Sequence, residues 1–420
     1  MSTALAIATR PSVLREVASR QSVQDGTFAA LLVASRIPAN LGTLGGLLFL
    51  VLAALYAALR IEQCRDAMAR CWLQLCYPAF ALLSTLWAVY PAVTLRASIQ
   101  MSLTAMIGLL LSQAARPRAV LAGLFVAYAG YTAISLAAGN IRPDGNDGAM
   151  ALYGLGGEAK NFFAETSATA TLLAMVIANV CVERRAVAVG MLSIALAAAC
   201  ALATVRAHSA GAVASLLLSA GLLGVLLVLR RRSPAAKLAF TGALVGLLLL
   251  SALLFQPLLA MVQEMSGKDA GLTGRGYLWY RAQFIIAQRP LLGVGYFGFW
   301  NPANADAIGF WRYFDVRQEG TAFSFHNSYI QTIVETGYFG VGIMVATWIA
   351  GVLALLRRFV LTPSLATCFW LAFLALQFSK TPVELVRPGT LTAPTVMLFA
   401  ALGFGWFPIT RLSVGRRSPC

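Results

Sequence analysis

Charged side chains are scarce in this chain, and their scarcity excludes an ordinary water-soluble globular protein. They make up 11% of the 420 residues, whereas 59% of the residues are hydrophobic and the mean hydropathy is +0.75. Soluble domains carry roughly twice that share of charge. Apolar runs of about 20 residues recur along the chain, and each is long enough to cross the ~30 Å hydrocarbon core of a bilayer. The composition therefore predicts an all-α polytopic membrane protein.

Histidine is rarer still, and the sequence signatures of nucleotide and metal sites are missing. The chain has two histidines, and its sequence contains no Walker motif and no zinc-ligand spacing. Residues 290–298 include a Gly-x-Gly, but the strand and helix of a dinucleotide fold do not flank it. The linkers that we assign to the cytoplasm are too short for a nucleotide-binding domain. Any chemistry must then take its substrate from the membrane or from the outer compartment.

Two further features are absent. The seven cysteines lie outside the segments that we assign to the outer compartment, so no disulfide framework is expected. Residues 1–27 contain Arg10, Arg15 and Arg20 but no apolar core followed by a cleavage site. We expect these residues to be a basic cytoplasmic tail and not a removable signal peptide.

The apolar segments predict about twelve transmembrane helices. Residues 28–60 are interrupted at 35–40, so they form either one crossing at about 41–60 or two short crossings. We adopt two, because the N-terminal arginines and the downstream charges favour them. The remaining predicted spans are 71–90, 95–114, 119–139, 162–181, 186–205, 209–229, 238–256, 337–356, 362–379 and 391–409.

Alternating these spans from a cytoplasmic N-terminus gives a consistent charge distribution. The inside linkers and the C-terminal tail then hold sixteen basic residues, whereas five acids lie on that side. The net charge of +16 follows the positive-inside rule and does not indicate a nucleic-acid partner. The outer side holds twelve basic residues and eleven acids. These outer cations form either an ordinary solvated surface or a site for an anionic substrate.

The domain organisation follows from the spans. A large outer loop region lies between the ninth and tenth spans, and a short outer segment, residues 380–389, carries Pro382 and Pro388, which rule out a continuous helix there. The predicted units are a basic cytoplasmic tail (1–27), a transmembrane bundle of nine spans (28–256), a periplasmic catalytic cap with short helices (257–336), the last three spans (337–410) and a cytoplasmic tail (411–420).

Two arginines are candidate anion ligands. Arg206 lies at a junction rich in small residues, which predicts a guanidinium buried between helices and paired with an anion such as phosphate. Arg275, between two glycines at the start of a helix that ends before Pro290, would have room for an anion beside backbone N–H groups. For both residues the alternative is an arginine that anchors a helix at the membrane interface. His208, near Arg206, is expected to be structural.

His326 is the candidate base. Asn327 or Ser328 is predicted to be the N-cap of the following helix, which places His326 in the turn at the membrane surface. Histidine exchanges a proton in the physiological range and therefore suits general base catalysis. The alternative is a structural interfacial histidine.

The order of several motifs resembles the O-antigen ligase family. They are Arg275 with Trp279, Pro290–Gly295, His326–Tyr329 and Glu335–Gly340, preceded by the junction that carries Arg206. The resemblance implies a membrane glycosyltransferase with a GT-C-like architecture, located in a bacterial inner membrane with its active site facing the periplasm and both termini in the cytoplasm. The donor would be O-antigen polysaccharide on undecaprenyl diphosphate, and the acceptor a sugar hydroxyl of lipid A–core.

The same resemblance implies roles for individual residues. Arg206 and Arg275 would hold the diphosphate, and His326 would activate the acceptor hydroxyl. Further basic residues on the same face are possible secondary contacts: Arg96, Arg281, Lys380 and Arg387.

The reaction chemistry agrees with these roles. A diphosphate is a good leaving group that needs charge stabilisation, which arginines supply, so we expect an inverting, metal-independent transfer without a cofactor. A polymerase or a protein O-oligosaccharyltransferase of the same superfamily is the alternative within the family. A transporter of lipid-linked sugars is a further alternative, disfavoured because the predicted spans carry few charges near the bilayer midplane.

Overall fold

The computed structural model describes residues 11–144, 148–253, 274–316 and 323–407, and its regular secondary structure there is helical apart from one small hairpin. The α-helices are α1 Pro11–Ala34, α2 Gly42–Leu59, α3 Ile61–Arg70, α4 Cys76–Leu83, α5 Pro91–Ser112, α6 Pro117–Ala138, α7 Lys160–Glu183, α8 Val187–Arg206, α9 Ala210–Leu229, α10 Pro234–Leu253, α11 Arg275–Gln288, α12 Ala305–Tyr313, α13 Ser328–Leu361, α14 Leu365–Phe378 and α15 Ala393–Phe404. Short 3-10 helices span Ala39–Leu41, Trp72–Leu75, Ser84–Leu86 and Leu155–Gly157. Strands β1 Ile141–Pro143 and β2 Met150–Leu152 pair antiparallel, with Arg142 opposite Ala151.

This architecture confirms an all-α polytopic membrane protein. Seven helices of the described residues are long and apolar enough to cross a membrane: α2, α5, α6, α7, α8, α9 and α13. Three shorter apolar helical segments, Trp72–Leu86, α14 and α15, coincide with three more predicted spans. Helix α10 overlaps the span predicted at 238–256, whereas α1 overlaps the first predicted crossing only at residues 28–34. Helix α1 begins at Pro11, so the predicted boundary after residue 27 lies inside a helix. Of the predicted cap, residues 257–273 and 317–322 lie outside the described residues.

Local sequence explains where several helices begin and end. Proline occupies the first turn of α5, α6 and α15, where its missing N–H costs no helical hydrogen bond and its fixed φ favours the helix. Helix α6 ends at Gly139, whose φ of 61° gives the left-handed C-terminal cap that glycine adopts without strain. The chain therefore reverses at the membrane surfaces with ordinary turn chemistry.

Helices α14 and α15 are buried along nearly their whole length at the centre of the bundle. They pack against α5, α7, α9 and α13. At 14 residues, α14 is about 20 Å long, which is shorter than the hydrocarbon core. The chain continues beyond it as the non-helical 380–389 segment, as Pro382 and Pro388 predict. Because lipid offers no hydrogen bonds, the backbone of this segment must be satisfied by protein groups or by water.

The cap forms a second hydrophobic core above the bundle. Its buried members come from α11, α12, the start of α13 and the connecting loops, and they include Leu278, Phe299, Phe310, Trp311 and Phe325. Large aromatic side chains dominate this core, which holds the short helices of the cap in one arrangement.

Gly337 divides α13 into a short piece attached to the cap and a long apolar piece. Its φ of 69° and ψ of −174° are non-helical, and the Leu291 carbonyl fills the space beside its Cα. The N–H groups of Tyr338 and Phe339 donate to the carbonyls of Pro290 and Leu291 at 2.8 and 3.2 Å. The break therefore anchors the 290–295 loop of the cap to the bundle.

We expect Gly337→Ala to destabilise the protein strongly. An added Cβ would lie 2.0 Å from the Leu291 carbonyl oxygen. The backbone conformation alone would cost an L-residue about 1–3 kcal/mol. Thermal unfolding of the purified protein in detergent should show a clearly lower Tm. Gly342→Ala, in the same helix with open space around the new methyl group, is the control and should leave the Tm nearly unchanged. Equal Tm values for the two variants would contradict the steric account.

Candidate active site

Hydrogen bonds join the 380–389 segment to the N-terminal end of α13. The Ser328 N–H donates to the Thr381 carbonyl at 2.9 Å, and its hydroxyl donates to the Glu384 carbonyl at 2.9 Å. The Asn327 side-chain amide donates to another backbone carbonyl of the segment at 2.9 Å. These bonds satisfy backbone groups that a helix would have paired internally. They also hold the segment directly beside the turn that contains His326.

Asn327 is the N-cap of α13. Its side-chain oxygen accepts hydrogen bonds from the N–H groups of Tyr329 and Ile330 at 2.9 and 3.0 Å. This geometry confirms the prediction that Asn327 or Ser328 caps the helix. His326 consequently lies at the last non-helical position before the cap.

Three hydrogen bonds fix the turn that carries His326. The Trp279 indole N–H, one turn into α11, donates to the Phe325 carbonyl at 2.8 Å. The Phe325 N–H donates to the side-chain oxygen of Gln331 at 3.2 Å, and the His326 N–H donates to Ser324 Oγ at 3.3 Å. His326 has a φ of 48°, a conformation that costs a non-glycine residue free energy. The surrounding bonds hold the imidazole in place despite that cost.

Glu384 joins His326 to Arg275. One carboxylate oxygen accepts from Arg275 Nη2 at 2.7 Å, and the other lies 3.3 Å from His326 Nδ1. Arg275 Nη1 also donates to the Val383 carbonyl at 2.7 Å. The structure thus brings together two of the residues singled out in the sequence, through an acidic residue that the sequence analysis did not select.

The environment of Glu384 keeps its carboxylate ionised. Burial raises the pKa of Glu384, but the hydrogen bond with His326 and the charge of Arg275 outweigh that effect, so the pKa is lower than usual. The pair with Arg275 therefore contributes stability at neutral pH, which is lost as the pH falls through the lowered pKa.

The hydrogen-bond pattern assigns roles to the two ring nitrogens of His326. An ionised Glu384 beside Nδ1 favours the tautomer in which Nδ1 carries the proton. Nε2 is then the nitrogen with a free lone pair. The imidazole side chain is 34% exposed, so an incoming hydroxyl can approach it. The arrangement is chemically competent for general base catalysis.

Arg206 is exposed in the structure, although the sequence predicted a buried guanidinium. Its neighbours Ala203, Thr204 and Ala207 face the protein, whereas Arg206 ends α8 on the exposed side. The expectation of a guanidinium buried between helices was wrong, because the small residues at this junction pack on the opposite face of the helix. Among the described residues Arg206 has no ion-pair partner, and its charge is available to a ligand.

Lys380 and Arg387 form buried ion pairs. Lys380 Nζ lies 2.8 Å from a carboxylate oxygen of Glu165 on α7. Arg387 lies between Tyr296 and Phe297, and its guanidinium contacts both carboxylate oxygens of Glu335 at 2.8 and 2.9 Å. Both charges are compensated within the protein, so these residues anchor the 380–389 segment at either end.

Arg96 and Arg281 are exposed and lie away from the His326 contacts. Arg281 lies 5.8 Å from the ring of Phe284 on the outer face of α11. Arg96 is exposed on α5. The contacts of the described residues do not join either arginine to His326 or Arg275.

Within the described residues, no cluster of three or more His, Cys, Asp and Glu side chains could hold a metal ion. The charged groups that converge at His326 are instead one carboxylate and one guanidinium.

Comparison with known proteins finds a family match over the part of the chain that contains His326 and Arg275. Residues 194–345 match the family model described as O-Antigen ligase. The exopolysaccharide production protein ExoQ of Rhizobium meliloti (strain 1021) is 26% identical over 287 residues. That match covers 67% of this chain and 64% of the length of the relative. The family match includes Arg206, Arg275 and His326 but ends before Glu384.

Proposed function

We propose that this chain is a member of the O-antigen ligase superfamily and a glycosyltransferase of a bacterial inner membrane, which works at the periplasmic face with both termini in the cytoplasm. Its donor would be O-antigen polysaccharide on undecaprenyl diphosphate, and its acceptor a sugar hydroxyl of lipid A–core. The observation that supports this function best is the contact of His326 Nδ1 with Glu384, which leaves Nε2 free to serve as a base.

In the proposed reaction, His326 Nε2 accepts the proton of the acceptor hydroxyl as its oxygen attacks the anomeric carbon. A new bond forms between that oxygen and the carbon, and the bond between the carbon and the phosphate oxygen breaks. The electron pair leaves with undecaprenyl diphosphate. Attack opposite the leaving group inverts the configuration of the anomeric carbon.

The two arginines contribute differently to this reaction. Arg275 is already paired with Glu384, so that pair carries little net charge. Arg206 has no such partner among the described residues and supplies an uncompensated positive charge for the diphosphate. A guanidinium that binds phosphate in two-point fashion stabilises the charge that develops on the leaving group. We therefore assign most of the diphosphate attraction to Arg206 and the alignment of Glu384 to Arg275.

The test is turnover by the purified full chain in detergent, with a lipid-linked donor and lipid A–core as acceptor, in the presence of EDTA. We expect a transferred glycan with inverted anomeric configuration, at the same rate with and without the chelator, because cationic side chains stabilise the leaving group. Loss of activity on chelation with recovery on addition of Mg²⁺ would contradict metal independence. Absence of product under all metal conditions, with lipid A–core and also with a second lipid-linked chain as acceptor, would contradict a transferase.

A polymerase is the second candidate, because the name of the ExoQ relative refers to exopolysaccharide production. The same base and leaving group would then join a repeat unit to a second lipid-linked chain. The assay includes an arm in which a second lipid-linked donor replaces lipid A–core. Product in this arm alone would favour the polymerase over the ligase.

A further inference from the structure

A groove of about 550 Å³ lies between the C-terminal half of α13 and the end of α15. One wall is a single stripe of α13, in which Ala350, Leu353, Ala354 and Arg357 follow one another at helical spacing. The opposite wall includes Trp406, just after α15. The groove is therefore apolar towards one end and cationic towards the other.

The groove lies on the membrane face opposite His326. Twenty residues separate Gly337 from Arg357 within one helix, which corresponds to about 30 Å along the axis. This length equals the thickness of the hydrocarbon core, so Arg357 and Arg358 lie at headgroup level of the far leaflet. The positive-inside rule assigns this arginine-rich face to the cytoplasm, where anionic lipids attract basic groups.

The close approach of two helix ends forms the base of the groove. A Cβ on Gly405 would lie 2.6 Å from the backbone nitrogen of Leu355, so only glycine fits at this position. Arg358 is 8% exposed, donates from Nη1 to the Phe407 carbonyl at 2.6 Å, and lies 4.8 Å from the ring of Phe404. These contacts hold the guanidinium rigidly beside the groove.

Two buried donors at the groove lack acceptors. Arg358 Nε and Trp406 Nε1 are buried and have no hydrogen-bond partner in the part of the chain that the structure describes. A buried donor without an acceptor costs free energy, and a ligand with oxygen acceptors would remove that cost. Arg357, on the groove wall and exposed, adds a positive charge that the described residues do not pair. A ligand that fits this place carries oxygen acceptors for the two donors, and the charges of Arg357 and Arg358 favour a negative one.

We propose that this groove binds an anionic phospholipid of the leaflet opposite the active site. Its phosphate would accept hydrogen bonds from Arg358 and Trp406 and interact with the charge of Arg357, while an acyl chain would lie along Ala350, Leu353 and Ala354. The apolar wall is what distinguishes a lipid from free phosphate, since Leu353 is 56% exposed and offers an acyl chain an apolar surface. The residues that follow Phe407 include three arginines and no acid, so they do not match the charge required.

The experiment is native mass spectrometry of the purified full chain titrated with dioleoyl phosphatidylglycerol, dioleoyl phosphatidylcholine or glycerol 1-phosphate. We expect the wild type to prefer phosphatidylglycerol and to bind glycerol 1-phosphate negligibly. Arg357→Gln should weaken phosphatidylglycerol binding about fivefold, as expected for one arginine near the membrane surface. Ala354→Leu should weaken binding of phosphatidylglycerol with all charges retained, because the larger side chain fills the apolar part of the groove.

Arg184→Gln is the matched control, because Arg184 is an exposed arginine that follows α7 on the same face, far from the groove in sequence. It should retain the wild-type preference. Equal lipid preferences for wild type, Arg357→Gln and Ala354→Leu would overturn the proposal. Occupation of the groove by residues 408–420 would give this result. Tight binding of glycerol 1-phosphate that Ala354→Leu leaves unchanged would also overturn it, in favour of a site for a free phosphate compound.

Discussion

Replacing His326 with alanine is expected to lower kcat of the proposed glycosyl transfer by about 10²–10⁴-fold, which is the usual contribution of a positioned general base. A sugar hydroxyl is a poor nucleophile at neutral pH, and in the variant only water could take its proton. The Nδ1 contact with Glu384 and the fixed turn place the imidazole for this role. The measurement is the rate of glycan transfer by purified variants at saturating donor. KM for the donor should change little, since most of the diphosphate attraction is assigned to Arg206.

His208→Ala is the matched control for this experiment. The second histidine is also exposed and also has a positive φ, 51°, but it lies at the junction after α8. It should retain activity within about twofold of wild type, which for a surface substitution corresponds to a small change in free energy. Partial rescue of His326→Ala by added imidazole would support a base function. A fully active His326→Ala enzyme of normal Tm would refute it.

The second large effect is expected for Glu384→Gln, which should lower kcat by about 10²-fold. A carboxylate that orients a catalytic histidine selects its tautomer and stabilises the imidazolium that forms, and its removal typically costs 10-fold or more. The amide of glutamine can still fill the space between Arg275 and His326, but it carries no charge. Its N–H group could also donate to Nδ1, which would leave the base in the wrong tautomer.

Glu384→Asp separates this positioning role from a purely structural one. It retains the charge and should recover part of kcat, whereas the loss in Glu384→Gln should appear in kcat and not in donor KM. Both variants should keep a Tm near wild type, because Ser328 and Asn327 still hold the 380–389 segment. If both Glu384→Asp and Glu384→Gln are inactive and both have a Tm far below that of the wild type, the carboxylate has only a structural role.

Local chemistry made several features predictable from sequence. The N-cap at Asn327 follows from its side chain and the apolar helix behind it, and Pro382 and Pro388 exclude a helix whatever the rest of the chain does. The break at residues 336–337 coincides with the predicted start of the tenth span, because glycine permits the backbone to leave the helix there.

The features that could not be predicted from sequence are those that depend on tertiary packing. Whether Arg206 is buried or exposed depends on which face of α8 meets the bundle, and small residues on both sides of it left that face undetermined. Glu384 lies 58 positions after His326 and beyond the part of the chain that matches the family model, so motif order did not point to it. The available signal was an acidic residue in a proline-bounded outer segment. Lys380 and Arg387 looked equally free until the structure placed Glu165 and Glu335 beside them.

The two helices α13 and α14, which separate Glu384 from His326 along the chain, have a consequence for biogenesis. The ribosome delivers the histidine first, and two more hydrophobic helices must insert before the carboxylate reaches it. A nascent or truncated chain that lacks the last helices thus holds an imidazole with no partner to set its protonation. Under the proposed mechanism, such a chain would react only slowly with lipid-linked sugars until membrane integration is finished.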